Sequence, residues 1–285
     1  MNLCDYDTIR ALLGRHGFHF SKSMGQNFLI DPQVPMDIAA ASGADEHCGV
    51  LEIGPGIGPL TAQLAQRAGK VVSVELDSSL LPVLAETMAP YPNVEIVPGD
   101  VLKLDLAALA AEKFQGLTPM VCANLPYNIT TPILEKLVEA PCFERFTVMI
   151  QKEVAQRLCA PEGSAQGGSF SLFLRYYMEP EYLFDVPADR FLPPPKVTSA
   201  VIRCVRRSSP AVEVEDEAFF FKVMRGAFLL RRKTLSNSLA AALPGCSRAQ
   251  VQSAMERCGL APTVRGEALT LQDFAALARA LKEET

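Results

Sequence analysis

The feature that most constrains the fold is a glycine-rich turn between a short apolar segment and an amphipathic one. Residues 50–53 have the pattern of a buried strand, and the segment from Leu60 onward has helical spacing. Gly54, Gly56 and Gly58 lie between the two segments. Glycine suits this position because the backbone must turn tightly and let a ligand approach closely. The pattern predicts a strand, a ligand-binding turn and a helix, which together form one unit of an α/β sheet.

Acidic residues follow the next two predicted strands. Glu75 ends the strand at 71–75, and Asp100 follows the strand at 94–97. An acid about twenty residues after such glycines commonly binds the two ribose hydroxyls of an adenosine ligand. Asp100 is placed to bind an adenine amino group. Taken singly, each acid favours the interpretation of a solvated strand end, but their shared position at the carboxyl edge predicts an adenosine site.

Strands and helices alternate along most of the chain, which predicts an α/β fold with a parallel sheet and helices on both faces. The predicted strands are 50–53, 71–75, 94–97, 120–124, 146–151, 181–186 and 198–205. The predicted helices of this part are 8–17, 32–42, 59–68, 78–89 and 130–140, with loops at 18–31 and 161–169.

A Ser-Ser-Pro sequence at 208–210 predicts a domain boundary, and the chain beyond it has helical patterns. The expected domains are residues 1–207, which bind the small molecule, and residues 208–285, which are helical. The predicted helices of the second domain are 216–230, 231–243, 247–257 and 270–283.

The tetrapeptide Asn124-Leu-Pro-Tyr127 ends the predicted strand at 120–124. An amide oxygen and a main-chain carbonyl can each accept a hydrogen bond from an exocyclic amine, while an aromatic ring stacks on the base that carries it. We expect Asn124 Oδ1 and the Pro126 carbonyl to accept the two N6–H groups of an adenine. Tyr127 and Phe191 would then stack on its two faces. The competing interpretations are a proline-containing turn and, for Phe191, a core aromatic residue.

Together with these features, five sequence motifs resemble the ribosomal RNA adenine N6-dimethyltransferase family, most closely its bacterial small-subunit members. The resemblance covers the chain from about residue 20 to its end and implies a Rossmann-like methyltransferase domain with a small helical C-terminal domain. The motifs are Gly25-Gln-Asn-Phe-Leu-Ile-Asp31, Glu52-Ile-Gly-Pro-Gly56, Asn124-Leu-Pro-Tyr127, Phe191-Leu-Pro-Pro-Pro-Lys-Val-Thr-Ser199 and Arg231-Arg-Lys-Thr-Leu-Ser-Asn-Ser238.

The resemblance implies transfer of methyl groups from S-adenosylmethionine to N6 of adenosines in small-subunit ribosomal RNA, with S-adenosylhomocysteine as product. The cofactor contacts that it implies are Asn27, Leu29, Gly54, Glu75, Asp100 and Asn124. The neighbouring residues Gln26, Gly56, Leu76 and Val101 complete the predicted cofactor set. The predicted catalytic set is Asn124, Pro126, Tyr127 and Phe191.

The distribution of charge suggests where RNA binds. The net charge is −5, but residues 1–205 hold 15 Lys and Arg against 23 Asp and Glu, whereas residues 206–285 hold 12 against 9. A local basic patch, and not the total charge, attracts phosphates. An apolar helix is expected to present the run Arg231-Arg-Lys233 at its exit, although the run alone also reads as a solvated helix face. The predicted RNA contacts are Lys22, Lys196, Arg225, Arg231, Arg232 and Lys233.

Other site classes have little support in the sequence. The eight cysteines are scattered without a Cys-x-x-Cys pair, and none of the three histidines pairs with a cysteine at zinc-ligand spacing. No run of eighteen apolar residues predicts a membrane span, and no signal peptide is expected at the N-terminus. We expect a monomer without a metal site, acting in the cytoplasm on the small-subunit RNA or its precursor particle.

Three segments depart from the family pattern on the expected RNA side, namely residues 18–24, residues 163–171 and Ser236.

Two alternative functions remain. One is a large-subunit adenine methylase of the macrolide-resistance type, which shares the first domain. The other is a non-catalytic ribosome-assembly or transcription factor on the same fold. The motifs that begin at Phe191 and Arg231 favour the small-subunit type, and the intact tetrapeptide at Asn124 favours catalysis.

Overall fold

The computed structural model of the chain describes residues 1–18 and 26–284. They form two compact units, one of residues 1–155 and 181–206 and one of residues 156–180 and 207–285. The predicted domain boundary, after residue 207, lies one residue from the point where the chain enters the second unit for the second time. The prediction placed residues 156–180 in the first domain, whereas they belong to the second unit. Tertiary packing accounts for this difference, because Leu172 and Tyr176 are buried in the apolar cluster of the second unit.

The first unit contains the predicted parallel sheet. Its strands lie in the order β4-β3-β2-β5-β6-β9-β7. All pairs from β4 to β6 are parallel, and β9 runs antiparallel to β6. The strands are β2 Cys48–Ile53, β3 Lys70–Glu75, β4 Val94–Pro98, β5 Thr118–Asn124, β6 Arg145–Gln151, β7 Met178–Val186 and β9 Ser199–Arg206. Two short strands, β1 Phe28–Leu29 and β8 Phe191–Leu192, pair separately.

Helices follow most strands, as the alternation predicted. Three of them were missed from the sequence: α5 is short and Ala-rich, α7 begins at the residue after β6 without a loop, and α8 follows a Gly- and Ser-rich loop. The helices that precede β7 are α1 Tyr6–Arg15, α2 Gln33–Ser42, α3 Pro59–Ala65, α4 Leu81–Met88, α5 Leu106–Lys113, α6 Thr130–Glu139, α7 Lys152–Cys159 and α8 Ser169–Tyr177. The second half of α7 and all of α8 belong to the second unit.

The centre of the sheet is buried on both faces, as parallel sheets covered by helices are. All six residues of β2 are buried, and separate apolar clusters contain Val50 and Ile57. The chain passes from β2 through α3 to β3 on one side, while β5 pairs with the other side of β2. Loops that leave β2 and β5 in opposite directions open a crevice at their carboxyl ends, which is where open α/β sheets bind ligands.

The second unit ends in four helices, α9 Glu217–Ala227, α10 Leu235–Ala242, α11 Arg248–Arg257 and α12 Leu271–Lys282. The sequence placed Arg231 and its neighbours at the start of a helix, and this is wrong. α9 stops at Ala227, and residues 228–233 form a turn before Thr234, the N-cap of α10. No helix among the described residues has the length and hydrophobicity needed to cross a membrane.

Candidate active site

An open cleft lies at the carboxyl ends of β2, β3, β4 and β5 in the first unit. The structure brings into its lining all predicted cofactor residues and all predicted target-base residues except Phe191. They are Gln26, Asn27, Leu29, Gly54, Gly56, Glu75, Leu76, Asp100, Val101, Asn124, Pro126 and Tyr127. These residues come from four strand ends and one N-terminal segment, so only the folded sheet collects them.

The glycine-rich segment forms the tight turn that its sequence predicted, with a left-handed backbone at three glycines. The φ angles of Gly54, Gly56 and Gly58 are 69°, 61° and 94°, values that side chains disfavour. A Cβ atom on Gly58 would lie 2.4 Å from Cε of Met88, whereas one on Gly54 would meet no atom within 4 Å. Gly58 therefore allows close packing, and Gly54 leaves free space at the cleft that a ligand can occupy.

Glu75 is 6% exposed at the end of β3 and presents its carboxylate to the cleft. Its Oε1 accepts a hydrogen bond of 2.7 Å from the main-chain N–H of Asp77. Burial is the main cause that raises the pKa of Glu75, and main-chain hydrogen bonds partly oppose it. A largely buried carboxylate with spare acceptor capacity suits the paired hydroxyls of a ribose.

Asp100 follows β4 and is also held by the main chain, since its Oδ1 accepts a hydrogen bond of 3.0 Å from the main-chain N–H of Leu102. Its neighbour Val101 is buried and lines the cleft. One carboxylate oxygen thereby fixes the local turn, while the apolar neighbour provides a surface for a ring. The pair fits the edge and the face of an adenine.

Glu52 lines the same cleft, although the sequence gave it no role in the site. It is 1% exposed, and its Oε2 accepts hydrogen bonds from Thr61 Oγ1 at 2.7 Å and from Ser73 Oγ at 2.6 Å. Burial raises the pKa of Glu52 to about 7, and the two hydroxyl donors oppose this shift. The signal that could have revealed it is an acid inside an otherwise apolar strand, because acids are rarely fully buried without partners.

The tetrapeptide after β5 differs in one respect from its predicted chemistry. Asn124 lines the cleft, but the carbonyl of Pro126 already accepts hydrogen bonds from Ile129 N at 3.3 Å and from Thr130 Oγ1 at 3.1 Å. Since a carbonyl oxygen has two lone pairs, these donors occupy it. The carbonyl of Leu125 has no donor among the described residues and is the better second acceptor. These two hydrogen bonds leave the Pro126 carbonyl little capacity for the amine that the sequence assigned to it.

Tyr127 lies in the cleft beside these acceptors and is anchored through its hydroxyl. The phenol oxygen and the hydroxyl of Ser199 share a hydrogen bond, and Ser199 is fully buried at the first residue of β9. Burial raises the pKa of Tyr127, so the phenol stays protonated at neutral pH. A ring held at its hydroxyl end is positioned to stack on a planar base.

Phe191 does not line the cleft, and this corrects the prediction of two stacking rings. The side chain is 2% exposed and belongs to the apolar cluster of Leu29 and Val201. Its strand, β8, pairs with β1, where Phe191 lies opposite Leu29. Pairing of the two strands turns the ring into the core, so the competing interpretation of Phe191 as a core aromatic describes its position.

The predicted RNA-binding residues lie in different parts of the chain. Lys22 and most of the atypical segment 18–24 lie outside the described residues. Lys196 is exposed on the first unit, and the others are exposed on the second unit. The exposed turn that carries three of them is fixed by hydrogen bonds, from Lys233 N to Leu230 O at 2.8 Å and from Leu230 N to Ser238 Oγ at 3.0 Å. The exposed residues of the second unit are Arg225, Arg231, Arg232 and Lys233, and the last three lie in this turn.

Within residues 1–18 and 26–284, no group of three or more His, Cys, Asp or Glu side chains has an arrangement that could hold a metal ion. The charged groups of the cleft that are described above are carboxylates held by main-chain amides and hydroxyls. The donors and acceptors of the site therefore suit a nucleoside ligand bound through its hydroxyls, its amino group and its ring.

Comparisons with known proteins identify relatives of this chain. A family model described as "Ribosomal RNA adenine dimethylase" matches residues 17–283. The chain is 47% identical to the "Ribosomal RNA small subunit methyltransferase A" of Streptococcus sanguinis, over all of this chain and 99% of that protein. It is 49% identical to the protein of the same name from Geobacillus thermodenitrificans, over 95% and 94% of the two chains.

Solved structures give a similar result. The chain resembles the 23S rRNA methyltransferase ErmE with a TM-score of 0.66 and 27% identity, over 90% of this chain and all of that one. It also resembles a dimethyladenosine transferase from Plasmodium falciparum with a TM-score of 0.75, over 90% and 98% of the two chains. The identity to the latter is 24%, so this second likeness shows the fold alone.

Proposed function

Because the chain belongs to the ribosomal RNA adenine dimethylase family, we propose that it dimethylates N6 of adenosines in small-subunit ribosomal RNA, with S-adenosylmethionine as methyl donor. One observation carries the proposal: a single cleft holds the adenosine-type contacts Glu75 and Asp100 together with the amine acceptor Asn124 and the ring of Tyr127. A nucleoside cofactor and a target base both find their complementary groups there. The full-length identity to small-subunit enzymes supports the choice of substrate.

The residues of the cleft fit the cofactor. Glu75 offers a carboxylate to the ribose hydroxyls, Asp100 with Val101 offers an edge and a face to the adenine, and Gly54 leaves room beside them. The cofactor, when bound, supplies a methyl group that its sulfonium already activates. The protein is therefore left with binding, orientation and the activation of the accepting amine.

Activation of the amine is assigned to the end of β5. The lone pair of an adenine N6 is delocalised into the ring, which makes it a poor nucleophile. In the first transfer, Asn124 Oδ1 and the Leu125 carbonyl accept the two N6–H groups, which localises the lone pair and orients it. In the second transfer, one N6–H remains for one of these acceptors. Each transfer forms one N6–CH₃ bond as the S–CH₃ bond breaks, and N6 then loses one proton to solvent. Tyr127 stacks on the base and holds it in this geometry. Catalysis then depends on positioning and electrostatics and needs no general base of neutral pKa.

The target base must leave its helix or come from a single strand to enter this cleft. The exposed turn of the second unit offers Arg231, Arg232 and Lys233 to RNA phosphates, and no acid among the described residues forms an ion pair with them. Lys196 and Arg225 extend the basic surface of their respective units. Phosphate contacts of this kind set affinity and leave the choice of nucleotide to the cleft.

The RNA role of this turn is measurable through salt dependence. Replacing Arg231, Arg232 and Lys233 with alanine should make the negative slope of log affinity against log salt less steep by about 2–3. Each lost phosphate contact removes about 0.7–0.9 from its magnitude. A matched control replaces Arg257 and Lys282, exposed cations of the same unit that pair with acids. An equal change of slope in the control would reduce the run to general surface charge.

The decisive experiment incubates small and large ribosomal subunits that lack the modification with labelled S-adenosylmethionine, followed by mass spectrometry of the RNA. We expect N6,N6-dimethyladenosine in the small subunit alone, with Asn124→Ala as the inactive control. Label in the large subunit would favour the alternative suggested by the likeness to ErmE. Binding without label would favour a non-catalytic assembly or transcription factor.

The substrate also sets where the protein acts. Ribosomal RNA and its precursor particles are made in the cytoplasm of bacteria, so cytoplasmic action during ribosome biogenesis is part of the proposal. All described residues that line the cleft come from one chain. A monomer is therefore sufficient for the proposed reaction.

A further inference from the structure

Residues 26–31 form a segment, here called the N-terminal strap, that contributes one side of the cleft. Gln26 and Asn27 line the cleft at its beginning, and Asp31 ends it. Its second half is fastened to the chain around β8. Ile30 N donates to Arg190 O at 2.9 Å, and Arg190 Nη1 donates to Asp31 Oδ2 at 2.8 Å.

A side-chain contact of a different kind holds the beginning of the strap. Gln26 Nε2 donates a hydrogen bond of 2.6 Å to Oδ2 of Asp77. Asp77 lies two residues beyond Glu75, in the loop that follows β3. The strap is therefore anchored at both ends, to the chain around β8 and to the loop that follows Glu75 at the end of β3.

Asp77 links the strap to Glu75 and the first turn of the next helix. Its Oδ1 accepts from Ser79 N at 2.9 Å and from Ser79 Oγ at 2.6 Å, and its own N–H donates to Glu75 Oε1. Burial raises the pKa of Asp77, but the donors Ser79 and Gln26 outweigh it, so the pKa lies below its ordinary value. The carboxylate is thus charged, fixed by Ser79, and presents one oxygen to Gln26.

We propose that Gln26 and Asp77 form a latch that keeps the N-terminal strap closed over the cofactor cleft, with Asp77 acting as a positioning residue for Glu75. This inference deepens the proposed function and rests on it for the identity of the ligand. In this proposal Gln26 acts on the cofactor through Asp77, because its side-chain amide donates to that carboxylate. Breaking the latch frees the strap and speeds cofactor release.

A charge-swap series tests the latch with S-adenosylhomocysteine as the probe in calorimetry. Gln26→Leu removes the donor and should weaken binding about tenfold, as expected for a hydrogen bond to a charged group. Gln26→Glu opposes two carboxylates and should weaken it at least as much. Adding Asp77→Asn to Gln26→Glu restores a donor and an acceptor, so binding should return to within about threefold of the original, a difference of about 0.7 kcal/mol.

A matched control uses the same substitution at a similar bond outside the cleft. Gln33 Nε2 donates to Asp37 Oδ1 at 2.7 Å within α2, and neither residue lines the cleft. Gln33→Leu should leave the affinity for S-adenosylhomocysteine unchanged. A loss of affinity equal to that of Gln26→Leu would overturn the latch, because it would show a general effect on stability.

A second readout needs no cofactor. Hydrogen exchange of the ligand-free protein should show faster exchange at the Ile30 amide and its neighbours in Gln26→Leu and Gln26→Glu, and protection should return in the double variant. If the swap restores neither protection nor affinity, Gln26 contacts the ligand directly and the latch is wrong. If the unmodified protein fails to bind S-adenosylhomocysteine, the proposed function fails, and hydrogen exchange still decides the latch.

Discussion

The two sides of the cleft differ in how closely their chemistry follows the chain. On the cofactor side, Gly54, Glu75 and Asp100 lie directly at or after the ends of parallel strands, where the sequence placed them. On the target-base side, the Pro126 carbonyl is occupied and Phe191 is buried in the core. Strand ends are local features of the chain, whereas free acceptors and exposed rings depend on what packs around them.

The largest expected effect tests the core position of Phe191. Phe191→Ala should lower the free energy of unfolding by about 3–5 kcal/mol, because it removes a buried aromatic ring and leaves a cavity. Denaturant unfolding measures this loss, and Phe191→Leu should lose less. A stable Phe191→Ala protein that binds cofactor but no longer methylates would show that the ring stacks on the target base. The contrast between the two sides of the cleft would then be wrong.

Asn124 tests the target-base side itself. Asn124→Ala should reduce the rate of methyl transfer by roughly 10²–10³ at saturating cofactor and RNA, since it removes one preorganised contact to the reacting amine. Single-turnover kinetics measures the rate. RNA affinity should change little, because phosphate contacts dominate it. Near-normal turnover in a folded variant would refute the proposed activation of the amine.

The dependence of stability on pH tests the buried state of Glu52, which lines the cleft. Its pKa of about 7 lies above the value of 4.5 that serves for the unfolded chain, because the charged form is buried. The folded protein therefore holds an extra proton between these values, so this residue's contribution to stability falls as pH rises through the window. The difference in pKa corresponds to about 3 kcal/mol.

Glu52→Gln should remove that contribution while it keeps an oxygen for Thr61 and Ser73. Across this pH window, the free energy of unfolding of the variant should fall less steeply with rising pH than that of the original protein. Urea unfolding at several pH values within about 4.5–7 gives the two slopes. Identical slopes would mean that Glu52 stays ionised throughout and that its hydroxyl partners compensate for burial.

Glu75 tests the cofactor side. Glu75→Ala should weaken cofactor binding by about 1.5–3 kcal/mol, the range for hydrogen bonds to a charged group. Calorimetry with S-adenosylhomocysteine measures the change. Glu95→Ala is the control, since Glu95 forms ion pairs with Lys70 and Lys113 and does not line the cleft. Equal effects of the two substitutions would place the ribose elsewhere.

The smallest expected effect separates the ring of Tyr127 from its hydroxyl. Tyr127→Phe removes the hydrogen bond to Ser199 and should cost about 1 kcal/mol of stability, while methyl transfer stays within a few-fold. Tyr127→Ala also removes the stack, a further loss of about 1–3 kcal/mol of base binding. Thermal unfolding and RNA kinetics measure the two effects separately. Equal loss of activity in both variants would give the hydroxyl a role of its own in catalysis.

Periodicity and strand-end residues were enough to predict the parallel sheet, its glycine turn and the acids at its edge. The period of the side chains and the turn conformation follow from the local sequence. Val50, Gly54 and Glu75 could therefore be placed without knowledge of the residues that pack against them. The same reasoning missed α7, which continues from β6 without a loop, and it extended α9 beyond Ala227. Helix and strand ends depend on caps and packing that a single sequence indicates poorly.

The sequence by itself thus determined the order of the strands along the chain and the groups that their ends present to a ligand. Only the tertiary structure decided which of those groups remain free. Pairing of β1 with β8 buries Phe191, the turn at Thr130 occupies the Pro126 carbonyl, and the fold brings Gln26 to Asp77 across 51 residues of chain. Each of these outcomes depends on which atoms a hydrogen bond or a strand pair joins, and the spacing of residue types along the chain does not specify those pairs.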